Sequence, residues 1–152
     1  MIRILLADDH KVVRKGLRAT LEDYDGWHVC GEASDGRQAV NLAMELKPDV
    51  AVLDLTMPEL NGIEATREIK KAVPQVEVLI FTMHDTEEMI LSAFEAGALA
   101  FVPKAHDELE LVEAIKVILR HEPFVPTAAS DAIRAAAQTH RHDHAKAAAR
   151  DS

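Results

Sequence analysis

Cysteine is almost absent from this 152-residue chain: Cys30 is its only one, so no disulfide can form within it. Aromatic residues make up 4% of the sequence, which leaves Leu, Val, Ile and Ala to build the core. No apolar run approaches the roughly 18 residues that would span a bilayer. No basic, apolar leader precedes the first strand-like stretch, and together with the lone cysteine this fits a reducing cytoplasm. The chain also lacks a glycine-rich phosphate loop, so nothing marks it as a kinase. Positive charge is short as well. Seventeen basic against 26 acidic residues give a net charge of −9, which provides no general attraction to nucleic acid or an anionic membrane.

What remains suits a globular domain with a tail: 48% hydrophobic and 28% charged residues. The stretch Val50 to Gly62 organises it. Val50, Ala51, Val52 and Leu53 read as a strand buried on both faces, as in a parallel sheet. The run ends on Asp54, and Pro58 and Asn61-Gly62 then mark a loop. Ligand sites of open α/β sheets lie beyond such strand ends. Taken alone, Asp54 is more simply a strand or turn cap.

The rest of the chain alternates strand and helix patterns. Strands are expected over Ile2 to Ala7, Trp27 to Ala33, Val50 to Asp54, Val76 to Thr82 and Ala100 to Val102. Helices are expected over Lys11 to Tyr24, Arg37 to Lys47, Ile63 to Val73, Thr86 to Ala96 and Asp107 to Arg120. Ser34 or Asp35 can cap the second helix and Thr86 the fourth. Leu109, Val112, Ile115 and Leu119 mark the inward stripe of the fifth. Arg67, Lys70 and Lys71 read as a solvated face. This alternation implies an α/β fold, a parallel sheet with helices on both sides; in the flavodoxin-like order of such folds, 2-1-3-4-5, the first and third strands would be neighbours.

Residues 1–126 make the domain. Residues 127–152 hold ten alanines, and Ile133 is their only large apolar residue. Thr127 to Gln138 has helix propensity, and Arg141 to Ser152 reads as disordered.

Asp8-Asp9, Asp54, Thr82 and Lys104 thus all fall at strand C-termini, in that order. The constellation closely resembles the receiver domain of bacterial two-component response regulators. The wording Leu6-Ala7-Asp8-Asp9-His10 and Asp54-Leu55-Thr56-Met57-Pro58 is similar to the NarL/FixJ subgroup. The resemblance covers about residues 1–126.

It implies that Asp54 accepts a phosphoryl group from a sensor histidine kinase or phosphotransfer protein. Mg²⁺ would be held by Asp9 directly, Asp8 through water, one oxygen of Asp54 and the backbone carbonyl of Thr56. A hard cation also relieves the repulsion of crowded carboxylates. Lys104 and Thr82 would stabilise phosphoryl oxygens. Phe101 would be the switch aromatic, following Thr82 and changing the surface of the fourth helix, fifth strand and fifth helix for an output protein or a homodimer. Pro103 departs from the apolar residue expected before Lys104.

His84 either shapes water access to the site or is an ordinary loop residue. His10 reads as a solvated helix start, and His140, His142 and His144 as an incidental polar tail. The implied protein is a phosphoacceptor rather than an enzyme. A phosphatase of the haloacid dehalogenase type is disfavoured, because that family carries its nucleophile after the first strand, with a second aspartate two places on, where this chain has Thr56. A module that keeps only the fold is the other rival. NarL/FixJ proteins normally continue into a helix-turn-helix domain. Residues 1–126 carry 13 basic and 23 acidic side chains, and the tail cannot build a packed helix pair, so no specific DNA binding by this chain is expected. It would be a natural single-domain regulator or a truncated one.

Overall fold

A computed structural model describes residues 1–104, 108–126 and 131–138. Its elements run β1 (Ile2–Ala7), α1 (Lys11–Glu22), β2 (Trp27–Ala33), α2 (Gly36–Leu46), β3 (Val50–Leu53), α3 (Gly62–Ala72), β4 (Glu77–Thr82), α4 (Glu87–Glu95), β5 (Ala100–Pro103) and α5 (Glu108–Ile118). The strands form one parallel sheet in the order β2-β1-β3-β4-β5, the expected flavodoxin-like arrangement. β3 lies at its centre, and all four of its residues are buried. The β1–β3 register pairs Ala7 with Leu53, so the residues that follow each leave the sheet at the same level.

Local chemistry sets the helix starts. Asp35 caps α2 by accepting the Gln38 N–H at 2.8 Å, while Ser34 donates its own N–H to the Gln38 side chain at 3.0 Å. Asn61 accepts from Glu64 N–H at 2.9 Å and Thr86 from Met89 N–H at 3.3 Å. α1 stops at Glu22, short of Tyr24, whose ring instead meets Trp27 at 5.2 Å between centroids. Gly26, at φ 82°, makes the turn between them in a conformation that disfavours other residues.

Alternation along the strands divides the core. Leu5, Ala51, Val78 and Ile80 face α2, α3 and α4, whereas Ile4, Leu6, Val52 and Leu79 face α1 and α5. The buried stripe of α5 differs from the expected one. Leu111, Val112, Ile115 and Ile118 are buried, whereas Leu109 is 63% exposed. Positions 111, 115 and 118 follow the i, i+4, i+7 repeat of a 3.6-residue turn, while the spacing from 109 drifts off the face. The expected helix start at Asp107 lies outside the described residues.

Lys70 is not on a solvated face, although Arg67 and Lys71 are exposed as expected. It folds back over the turn after α3 and donates to the carbonyls of Pro74 at 2.6 Å and Val76 at 2.8 Å and to Glu77 at 3.0 Å. That turn leaves carbonyls without a helical partner, and a long cation reaches them. Its stem crosses Gly97, where a Cβ would sit 2.9 Å from Lys70 Cγ. Glu77 is 2% exposed and also meets His121 Nδ1 at 3.0 Å. Burial pushes the Lys70 ammonium below its usual pKa, against the opposing pull of Glu77.

Beyond α5 the chain turns at His121, with φ 61°, and Phe124 forms a parallel bridge to Ala100 on the outer edge of β5. Residues 131–138 are helical, with Ile133 and Ala137 each 2% exposed. The expected disordered stretch Arg141 to Ser152, and with it His142 and His144, lies outside the described residues, as does His140.

Glu77→Leu should cost about 3–5 kcal/mol in a urea titration, because it leaves the Lys70 ammonium buried without its carboxylate. A loss below about 1 kcal/mol would show that the pair contributes little.

Candidate functional site

All five strands point the same way, so their C-terminal ends share one edge of the sheet. Asp54 N–H donates to Ala7 O at 2.9 Å and Asp8 N–H to Ala33 O at 3.1 Å, continuing the strand ladders one residue past β1 and β3. The loop after Asp54 then turns back sharply. Gly62 N–H donates to Leu55 O at 2.8 Å, and a Cβ on Gly62 would lie 2.2 Å from the Asp54 carbonyl oxygen. Only glycine allows α3 to start this close to the strand end.

This geometry brings Asp8, Asp9, Asp54 and Lys104 together. Asp8 and Asp54 are 3% and 5% exposed, whereas Asp9 is open to solvent. Lys104 Nζ bridges the two buried acids, at 2.5 Å from Asp8 Oδ2 and 3.1 Å from Asp54 Oδ2. It also lies 5.8 Å from the centroid of the Phe81 ring. Pro103 does not disturb it: Pro103 pairs with Thr82 in the β4–β5 register, and Lys104 N–H donates to Thr82 O at 2.8 Å.

Burial alone would push the Asp8 carboxyl upward, but hydrogen bonds from Lys104 and the His10 N–H outweigh it and hold the pKa below the ordinary value. Burial likewise works to lower Lys104, and its bonds to Asp8 and Asp54 more than reverse it, leaving the ammonium raised.

The acid cluster fits a cation. Asp8, Asp9, His10 and Asp54 each offer a ligand atom, all within 4.8 Å of one another. Asp54 Oδ1 is buried and has no hydrogen-bond partner among the described residues. A buried carboxylate oxygen left this way is costly unless a positive group meets it. His10, read from the sequence as a solvated helix start, is the N-cap residue of α1, and its Nδ1 lies 3.1 Å from both Asp8 Oδ1 and Asp9 Oδ1. Adjacency to the acid pair was its one sequence signal.

The remaining expected positions surround this cluster. Thr82 is fully buried at the end of β4, and its hydroxyl accepts the His84 N–H at 3.2 Å. Phe101 is fully buried on β5. Thr56 is exposed on the loop after Asp54. His84 and Thr56 line a cavity of about 310 Å³ with Met57, Ile63 and Met89. Sequence reasoning passed over Arg14, whose Nη1 donates to the Asp8 carbonyl at 2.5 Å while its Nε meets Glu32 at 3.2 Å. Its place one helical turn past His10, the residue after the acid pair, is the only trace it leaves in the sequence.

Comparison with known proteins agrees with this geometry. The family described as "Response regulator receiver domain" matches residues 4–116. The transcriptional regulatory protein LiaR of Bacillus subtilis is 42% identical over 123 residues, 81% of this chain and 58% of that protein. The uncharacterized transcriptional regulatory protein YxjL of the same organism is 37% identical over 150 residues, 95% of this chain and 69% of that protein. The chain therefore spans between about half and two thirds of these relatives' length. A crystal structure of a two-component response regulator of the LuxR family from Aurantimonas superposes with a TM-score of 0.79 at 40% identity, covering 98% of this chain and 96% of that one.

Lys104→Met should raise the Asp8 pKa in metal-free solution, followed by carboxyl NMR. The sign follows from linkage. A carboxyl lowered by folding adds stability above its unfolded value, near 3.8, which is lost as pH falls through the lower folded value. In the variant that acid step moves to higher pH. An unchanged Asp8 titration would deny Lys104 its role.

Proposed function

The chain belongs to the response regulator receiver family, and on that premise we propose that it takes a phosphoryl group onto Asp54 in a two-component His-Asp phosphorelay. The observation that carries this reading is the buried Asp54 carboxylate, with one oxygen on Lys104 and the other unpartnered among the described residues, in a cluster with the acid pair whose ligand atoms lie within 4.8 Å of one another. Membership makes the protein a phosphoacceptor rather than a substrate-turnover enzyme. Residues 1–126 are the receiver unit in this reading and 127–152 its extension. The wording around Asp9 and Asp54 supports the NarL/FixJ subgroup.

The donor is a phosphohistidine on a sensor kinase or phosphotransfer protein. An Asp54 oxygen attacks phosphorus and the bond to the imidazole nitrogen breaks, leaving an aspartyl phosphate and the histidine. Lys104 releases the carboxylates and follows the incoming charge, and the Thr82 hydroxyl turns from His84 to donate to a phosphoryl oxygen. Asp8, Asp9, Asp54 and the Thr56 carbonyl would hold Mg²⁺, which matches the oxygen-rich donor set. When bound, Mg²⁺ would neutralise charge on the transferring group.

Phe101 carries the change to the α4–β5–α5 surface and so to an output protein or a second copy. No described helix is long and apolar enough to cross a membrane, and a cytoplasmic location is part of the proposal.

A haloacid dehalogenase-like phosphatase fits less well, since Asp54 follows the third strand and Thr56 stands where that family has its second aspartate.

Incubation with Mg²⁺ and a small phosphodonor, followed by intact mass, should give one adduct, lost in Asp54→Asn and in excess EDTA. Asp9→Ala should weaken Mg²⁺ binding at least about tenfold. A full adduct on Asp54→Asn would overturn the assignment, and steady turnover of the donor would favour a phosphatase.

A further inference from the structure

The outer edge of β5 is already occupied. Phe124 N–H donates to Leu99 O at 3.0 Å and Phe124 O accepts from Phe101 N–H at 3.2 Å, so residue 124 is a one-bridge sixth strand. Its neighbours alternate as a strand should: Phe124 packs with the core shared by α1 and α5, Val125 with the core on the α4 side. The helical segment 131–138 then buries Ile133 and Ala137 in the apolar cluster that contains Ile90, Phe94 and Phe101.

This cover is light. Pro123 and Pro126 flank the bridge and cannot donate hydrogen bonds, so pairing stops there. Ile133 is the only large apolar side chain among residues 131–138; Ala136 packs half-buried beside Ile133 and Ala137, and the remaining five residues are exposed. A unit held by one backbone bridge, the His121–Glu77 contact and a few mostly small apolar side chains opens locally below the free energy of global unfolding.

The cover is also wired to the site. One edge of β5 pairs with β4, matching Phe101 to Ile80 and Pro103 to Thr82, while the backbone of Phe101 bonds Phe124 on the other edge. Lys104, which must let go of Asp8 and Asp54 when a phosphoryl group arrives, immediately follows that strand.

We propose that residues 121–126 and 131–138 form a resident cover on the β5 edge and the α4 side, released when Asp54 is phosphorylated. A protein that reads this surface competes with the chain's own C-terminal segment for the backbone groups of Leu99 and Phe101. The inference rests on the phosphoacceptor reading above and specifies what that surface does before a partner arrives.

The test is amide exchange by mass spectrometry on the full chain, with and without Mg²⁺ and beryllium fluoride, a phosphoryl mimic. Exchange over 121–126 and 131–138 should rise about fivefold or more on adding the mimic. Coupling is reciprocal, so weakening the cover must tighten mimic binding by the same factor. Ile133→Asp combined with Ala137→Asp should therefore exchange fast over these residues without the mimic and bind it about fivefold tighter by calorimetry. Ile133→Ala, the milder change, should shift both in the same direction should the double variant fold poorly. Unchanged or slower exchange over 121–126 and 131–138, with residues 82–104 responding normally, would overturn the cover while leaving the phosphoacceptor reading intact. No mimic binding and no response over 82–104 would overturn both.

Discussion

Negative charge gathered at one edge of the sheet is the constraint on which the rest depends. Strand register alone delivers Asp8 and Asp54 to the same level, and both are nearly buried. Two such charges ~4 Å apart repel by about 4 kcal/mol at an effective dielectric of 20. The ammonium of Lys104 offsets this by bonding both. Because β5 lies two strands away from β3, that bridge spans the sheet edge. It ties the acid pair, the central aspartate and the β5 end into one electrostatic unit. Displacing the lysine therefore changes the environment of all three.

Backbone geometry makes the unit precise. Gly62 lets α3 approach the Asp54 carbonyl, and Thr66 locks that first turn by donating its hydroxyl to Gly62 O at 2.7 Å. On the other side Arg14 holds the Asp8 carbonyl and is itself held by Glu32, which also accepts from Arg18 at 2.9 Å. The acids thus sit on rigid strand ends clamped by neighbouring helices, where a small displacement would be felt at once.

A second charged group forms at the opposite edge, where Lys70, Glu77 and His121 meet. Glu77 is the first residue of β4, whose last residue is Thr82, and His121 begins the segment that returns along β5. β4 therefore joins the two edges. Its start anchors the exit from α5, and its end carries the hydroxyl beside the site.

The sequence by itself determined the alternation of strands and helices and the strand-end positions of Asp8, Asp9, Asp54, Thr82 and Lys104, while the order of the sheet followed from the family resemblance those positions carry. These are local signals: β-run apolarity, cap residues such as Asp35 and Thr86, and loop markers such as Pro58 and Asn61-Gly62. Only the tertiary structure decided which partners meet. Lys104 bonds residues 96 and 50 positions away, and no periodicity encodes that pairing. The same holds for the unpartnered oxygen of Asp54, the folding of Lys70 back over the turn after α3, the exposure of Leu109 and the bridge from Phe124 to Ala100. Each depends on where separate elements come to rest and how far a side chain then reaches. Local pattern constrains a residue's own backbone, whereas contacts, burial and charge balance belong to the packed whole.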